Sequence, residues 1–190
     1  MTHVSIIGTG TMGTVIAELV TRGGNTAQSL GRHNANPATG DIVVLAVPHG
    51  ALAEIVAARK EELDGKVVVD ISNPLNFETF DSLTVPADSS SAAALAAALP
   101  GSRVLKAFNT NFAATLQSQA VGSQPTTVLI AGDDQDAKQA LSAVVGAGGL
   151  KAVDAGALSR ARELEAVGFL QLTLAASEKI SWTGGFAIAG

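Results

Sequence analysis

Three glycines spaced as Gly8-x-Gly10-x-x-Gly13 carry the clearest chemistry in this chain of 190 residues. They close the stretch VSIIGTGTMG, in which Val4, Ile6 and Ile7 read as a strand buried on both faces. Ile16, Leu19 and Val20 then continue with a helical period. In a strand–turn–helix of this kind the first glycine permits the tight turn and the second lets the backbone approach a pyrophosphate. The third lets the helix pack on the strand. Phosphates then sit on unpaired N–H groups at the helix N-terminus, where the dipole favours negative charge. Gly8, Thr9, Gly10, Thr11, Met12 and Gly13 are therefore the expected phosphate cradle of a dinucleotide-binding domain.

The end of the second strand, about 20 residues further on, selects the dinucleotide, because an acid there bonds the ribose 2′-hydroxyl of NAD. This chain has Ser29-Leu30-Gly31-Arg32-His33 and no acid. Arg32 can make bidentate, charge-assisted bonds to a 2′-phosphate, with His33, Ser29 and Thr9 as further donors, so NADP is expected over NAD. Carboxyl ends of parallel strands are where ligands bind in such sheets. Ala46, Val47, Pro48 and His49 end the third strand and are expected along the cofactor. His49 reads first as a polar loop residue and second as a group that transfers a proton. Asp70, inside the apolar KVVVDI, is expected to bond to neighbouring backbone. His3, His33 and His49 have no metal-ligand spacing, and the absence of cysteine excludes disulfides and thiolate chemistry.

A regular alternation of strands and helices must position these residues. A second strand is expected over 26–30, but only 31–40 separate it from a third over 41–47. A crossover with its helix needs roughly 10–12 residues or more, and Asn34, Asn36, Pro37 and Gly40 oppose one. A loop or a single turn is expected there, opening the adenine side of the site. A helix over 51–60, a strand over 66–71 and a loop over 77–88 follow. Ser89-Ser90-Ser91 can cap a helix over 92–99. Further strands are expected over 103–108 and 126–131, a helix over 135–145 and a short strand over 151–154. A final apolar helix over 158–177 carries Leu164, Val167, Leu170, Leu172 and Leu174. The expected fold is α/β, a Rossmann-type, doubly wound, mostly parallel sheet with a C-terminal helix. Residues 1–190 form one domain in this reading, without repeat or linker.

Composition narrows the function. Hydrophobic residues make up 47% and charged residues 15%, which excludes a disordered chain. A formal net charge of −5 without a basic face argues against a general nucleic-acid or membrane-surface role. No signal-peptide pattern or membrane-length apolar run is visible, so a cytoplasmic protein is expected.

GTGTMG, LGR, VVLAVP, VVVDISNPL, KAFNT and DAGALSRARELE, in this order, resemble NADPH-dependent reductases of the deazaflavin coenzyme F-420 (F420) over residues 1–177. The cytosolic reductase domains of the six-transmembrane metalloreductases look similar too, although no membrane part is expected here. The resemblance implies hydride transfer between NADPH and a deazaflavin ring stacked over the nicotinamide, with little need of acid–base groups. It places the NADP phosphates on Gly8 to Gly13 and the 2′-phosphate on Arg32, with Val47, Pro48 and His49 lining the cofactor. Asn73, Pro74, Leu75, Asn109 and Thr110 would form the floor near hydride transfer, the last two and Leu75 facing the second substrate. Two departures stand out: Gly31 replaces the family's usual serine, and the short 31–40 segment deletes a helix. The alternatives are a flavin, ferric-flavin or small carbonyl or imine acceptor, for which His49 and Thr110 are the candidate proton donors, and an NADP-sensing module without turnover. The apolar last helix fits either a homodimer face or packing on its own sheet.

Overall fold

Strands of nearly continuous apolar residues need cover on both faces, and the flanking helices supply it. The computed structural model describes residues 1–31 and 33–189. In order these form β1 (His3–Ile7), α1 (Thr11–Arg22), β2 (Thr26–Leu30), β3 (Ile42–Leu45) and α2 (Leu52–Leu63), the last entered through a 3-10 turn, His49–Ala51. Then come β4 (Val67–Asp70), α3 (Ser91–Ala98), β5 (Arg103–Lys106), α4 (Ala113–Ser118) and a small hairpin, β6 (Ala120–Val121) with β7 (Gln124–Pro125). β8 (Thr127–Gly132), α5 (Gln135–Ala147) and β9 (Lys151–Gly156) lead through a 3-10 turn, Leu158–Arg160, into α6 (Ala161–Ala176).

Seven strands form one sheet in the order β2-β1-β3-β4-β5-β8-β9. The first five are mutually parallel, β8 runs antiparallel to β5, and β9 is parallel to β8. Alternate residues of each strand serve the two faces. Val4, Ile6, Val44, Val69 and Ile130 pack with Ile16 and Leu19 of α1 and Leu141 and Val144 of α5. Ile7, Val43, Leu45 and Val68 pack on the other side with Leu52 and Ile55 of α2 and Leu95 of α3. The mostly parallel, doubly wound sheet expected from the sequence is thus the one observed.

The strand order reverses directly after β2, since β3 lies on the far side of β1. No helix forms among the described residues of 31–41, and side chains hold the connection instead. The Gln28 amide oxygen accepts from Ser5 Oγ at 2.6 Å and Thr39 N at 3.0 Å, and Ser5 Oγ accepts from Gly40 N at 2.9 Å. From α2, the Glu62 carboxylate takes Ala38 N at 2.6 Å, while Arg59 donates to the carbonyls of Asn34 and Asn36. Ser5, fully buried between Val4 and Ile6, thus ties β1 to both Gln28 and Gly40.

Strands expected over 41–47, 66–71 and 103–108 end earlier, at Leu45, Asp70 and Lys106. Their last residues leave the ladder as loops that line the site. The α4 helix and the β6–β7 hairpin had no sequence signal strong enough to be expected. Both are short, and a one-and-a-half-turn helix is fixed by packing more than by propensity. Among the described residues no helix is long and apolar enough to cross a membrane.

Candidate active site

The turn between β1 and α1 separates the work of its three glycines. Gly8 has φ +119°, and a Cβ on it would stand 2.1 Å from the Ala46 carbonyl oxygen. A Cβ on Gly13 would meet the Gly8 carbonyl oxygen at 2.0 Å. Both are demanded by the fold itself. Gly10 is different: nothing lies within 4 Å of where its Cβ would be. It also N-caps α1 without any side-chain cap or acid in the first turn. The first helical bond is Thr14 N to Gly10 O at 2.9 Å, so the N–H groups before it are left for a ligand.

A cavity of about 780 Å³ opens beside this turn at the carboxyl ends of the parallel strands. Thr11, Met12, Val47, Pro48, His49, Asn73 and Asn109, all expected from the sequence, line it together. Gly10 and Ala46 join several of them in an adjoining recess of about 330 Å³. Thr9 is exposed on the turn. Other expected residues lie elsewhere. Leu75 and Thr110 are buried behind the cavity without reaching its lining: Leu75 bridges to Leu83, and the Thr110 carbonyl accepts from Gln171 Nε2 at 3.1 Å. Pro74 is also buried, its carbonyl taken by Thr84. Gly31 is half-buried, with open space where a side chain would project. Arg32 lies outside the described residues. His33 is exposed, 3.7 Å from the Glu54 carboxylate, and lines a separate recess.

Two asparagines fix the floor. Asn109 Nδ2 donates to Asn73 Oδ1 at 3.0 Å and to the Leu164 carbonyl at 2.8 Å, and Asn73 Nδ2 returns a bond to the Asn109 carbonyl. Asn111 Nδ2 donates to the Thr127 carbonyl. Those partners are all acceptors, so neither amide can flip, and the Oδ1 atoms of Asn109 and Asn111 are left without a donor among the described residues. Phe108, with φ 61°, turns the chain between β5 and this pair; a non-glycine residue there costs of order 1–3 kcal/mol. The α6 helix approaches closely because Gly168 offers no side chain: a Cβ there would stand 2.3 Å from Asn73 Oδ1.

The walls are aromatic. Phe77, Phe108, Phe112 and Trp182 all line the cavity, and the rings of Phe112 and Trp182 are 5.0 Å apart. Trp182 arrives from the segment after α6. That segment is tied down by Gln171, whose Oε1 accepts from Phe186 N at 3.0 Å.

Beneath the floor lies a buried ion triad. Lys106 Nζ is 2.9 Å from Asp70 Oδ2 and 2.9 Å from Glu165 Oε1, and all three side chains are inaccessible to solvent. Glu165 also accepts from the N–H groups of Ser91 and Ala92 at the start of α3. Burial works to raise the Asp70 carboxyl, but the Lys106 charge and hydrogen bonds from Ser72 and Lys106 outweigh it and hold the group below its ordinary value. Asp70 does bond to backbone, at Ser72 N, yet its main partner is a charge that sequence reading passed over. Above the triad, His49 Nδ1 lies 2.9 Å from Ser91 Oγ.

Residues 25–74 match the family model described as NADP oxidoreductase, coenzyme F420-dependent. The F420-dependent NADP reductase of Methanocaldococcus jannaschii is 31% identical over 172 residues, covering 88% of this chain and 77% of that protein. The chain belongs to this family. A protein assigned as an F420-dependent NADP reductase from Arthrobacter sp. FB24 has a solved structure with TM-score 0.85 and 24% identity, each chain fully covered. The metalloreductase STEAP3 of Rattus norvegicus is 37% identical over 107 residues, of which this chain spans only 21% of the length.

For a member of the F420-dependent NADP reductase family, the residues present fit a nicotinamide dinucleotide. Gly10 leaves a cradle that a Cβ would fill, the first N–H groups of α1 carry no side-chain cap, and two fixed amide oxygens lack donors among the described residues. What sequence reading missed is the aromatic wall. Trp182 is the sole tryptophan, but it sits in a turn-like tail with no period to assign it a face.

Proposed function

We propose that this chain transfers a hydride between NADPH and the deazaflavin coenzyme F420. The observation that carries this is the cavity that runs from the glycine turn to an aromatic wall, found in a chain 31% identical to a named F420-dependent NADP reductase. NADPH supplies the hydride, and the chemistry belongs to the cofactors. The chain's residues bind, orient and exclude water. Gly8 to Gly13 hold the phosphates at the α1 N-terminus, and Arg32, with His33, takes the 2′-phosphate. Ala46, Val47, Pro48, His49 and Asn73 flank the cofactor, and the buried Pro74 supports the loop that carries Asn73. Asn109, Thr110 and Leu75 support the second-substrate side, to which Trp182, Phe77 and Phe112 add flat apolar surface for a fused ring. We further propose a cytoplasmic protein that pairs through α6, which leaves Leu170 half-exposed; a monomer by light scattering at high concentration would remove the dimer.

The test is stopped-flow mixing of protein and NADPH with oxidised F420, followed by its visible absorbance. Rapid bleaching with NADPH and little with NADH is the expected result. No bleaching despite tight NADPH binding would overturn the deazaflavin assignment and favour a flavin or carbonyl acceptor.

A further inference from the structure

Gln171 spends both ends of its amide on main chain. From α6 its Nε2 donates to the Thr110 carbonyl at 3.1 Å, and its Oε1 accepts from Phe186 N at 3.0 Å. A carbonyl only accepts and a backbone N–H only donates, so the amide has one orientation. The residue is 2% exposed, and neither bond depends on the side chain at its other end. Thr110 lies between Asn109 and Asn111, both of which line the cavity, and Phe186 follows Trp182 by four residues. Gly185, with φ +139°, brings the tail onto the amide: a Cβ there would stand 2.9 Å from Gln171 Oε1. The turn that carries Trp182 closes on itself, through Gly184 N on the Ser181 carbonyl and Ser181 Oγ with Thr183. Among the described residues, the bond from Phe186 N is the one hydrogen bond that joins 181–189 to the rest of the protein. It holds an indole that is 51% exposed, 5.0 Å from the Phe112 ring and part of the cavity lining.

We propose that Gln171 is a positioning residue for the second substrate: it fastens the tail to the cavity floor and so fixes Trp182 in the wall on which a planar ring stacks. The role in binding rests on the deazaflavin reading; the fastening of the tail does not. An indole on a loose tail must be ordered each time a ring binds, and that cost is subtracted from the affinity. An indole already held in the wall avoids it. The cofactor side is independent of this device. Among the described residues of 181–189, none lines the recess beside Gly10, where Gly10, Thr11, Met12, Ala46, Val47 and Pro48 meet. Gln171 therefore acts through Trp182 on the ring of the second substrate and leaves the hold on NADPH unchanged.

The bond is cut without touching α6 or the Thr110 carbonyl by Phe186→Pro, which removes the donor N–H. Phe186→Ala keeps that N–H and serves as the control. The first readout needs no substrate. Release of the tail exposes the half of the indole that is now covered, so acrylamide quenching of the sole tryptophan should rise ~2-fold in Phe186→Pro and stay at the wild-type value in Phe186→Ala. The second readout is F420 reduction by NADPH. Phe186→Pro should raise KM for F420 by ~2- to 10-fold, the range of a lost ring stack, with kcat and KM for NADPH within ~2-fold. Combined with Trp182→Ala it should cost no more than Trp182→Ala alone, because one residue acts through the other. Quenching indifferent to Phe186→Pro overturns the fastening. Increased quenching with an unchanged KM for F420, an equal rise in both KM values, or losses that add in the double variant each overturn the positioning role. Wild-type protein that shows the expected quenching pattern but no turnover with F420 overturns the deazaflavin reading and leaves the fastening standing.

Discussion

At Gly10 a single methyl group separates folding from binding. The backbone there, φ −72° and ψ −177°, suits any residue, and the space is open. Gly10→Ala should therefore leave the thermal midpoint within ~2 °C while weakening NADPH by ~10-fold or more, since the Cβ occupies the place of a phosphate. Calorimetry and a binding titration on one sample check both halves. Gly8→Ala should instead unfold more easily, because its Cβ has no room and its φ is left-handed. Arg32 belongs to the same scale. A charge-assisted bond contributes ~1.5–3 kcal/mol, so Arg32→Ala should weaken NADPH by roughly 10- to 150-fold and leave NADH nearly unchanged. Equal losses for the two cofactors would rule out the 2′-phosphate contact.

Among the elements, β4, β5, α3 and α6 are joined by charge. Lys106 neutralises part of two buried carboxylates, Asp70 and Glu165, and removing one partner of a buried ion pair costs ~3–5 kcal/mol. Lys106→Met should thus lower the thermal midpoint by ~6 °C or more in a chain of this size. A midpoint within 2 °C of wild type, roughly the effect of 1 kcal/mol or less, would show that the triad is dispensable. The pH dependence has a definite sign. Asp70 is held below its ordinary value in the folded protein, so its contribution is complete above about pH 4, the unfolded value. It is lost as pH falls through the lower folded value. Asp154, held down by hydrogen bonds from Lys138 and Gly156, acts in the same direction. Urea unfolding at neutral and acid pH should show stability falling on acidification below pH 4, and less steeply in Lys106→Met.

Taken as a whole molecule, the site is closed by the two ends of the chain, the β1–α1 turn near the start and the segment after α6. Trp182 is the sole tryptophan and lines the cavity, so NADPH and F420 should each quench its emission on binding. Stacking of aromatic rings contributes ~0.5–1.5 kcal/mol beyond burial, so Trp182→Ala should raise KM for F420 by ~2- to 10-fold. Emission indifferent to both compounds would remove Trp182 from the site.

The local half of this protein was legible in its residues. Glycine spacing, apolar runs and the Ser90 cap depend on neighbours a few residues away, and these set the strands, the glycine turn and even the lack of a helix among the described residues of 31–41. Which side chains meet across the sheet was decided only by the tertiary structure. Lys106 and Glu165 stand 59 residues apart in sequence, on a strand and a helix, and pair because both are buried beneath one floor. Leu75 and Thr110 are buried outside the cavity lining, and Trp182 reaches it from a tail without periodicity. Long-range burial and charge pairing leave no local pattern, because each depends on where a distant element packs and not on the spacing of its own residues.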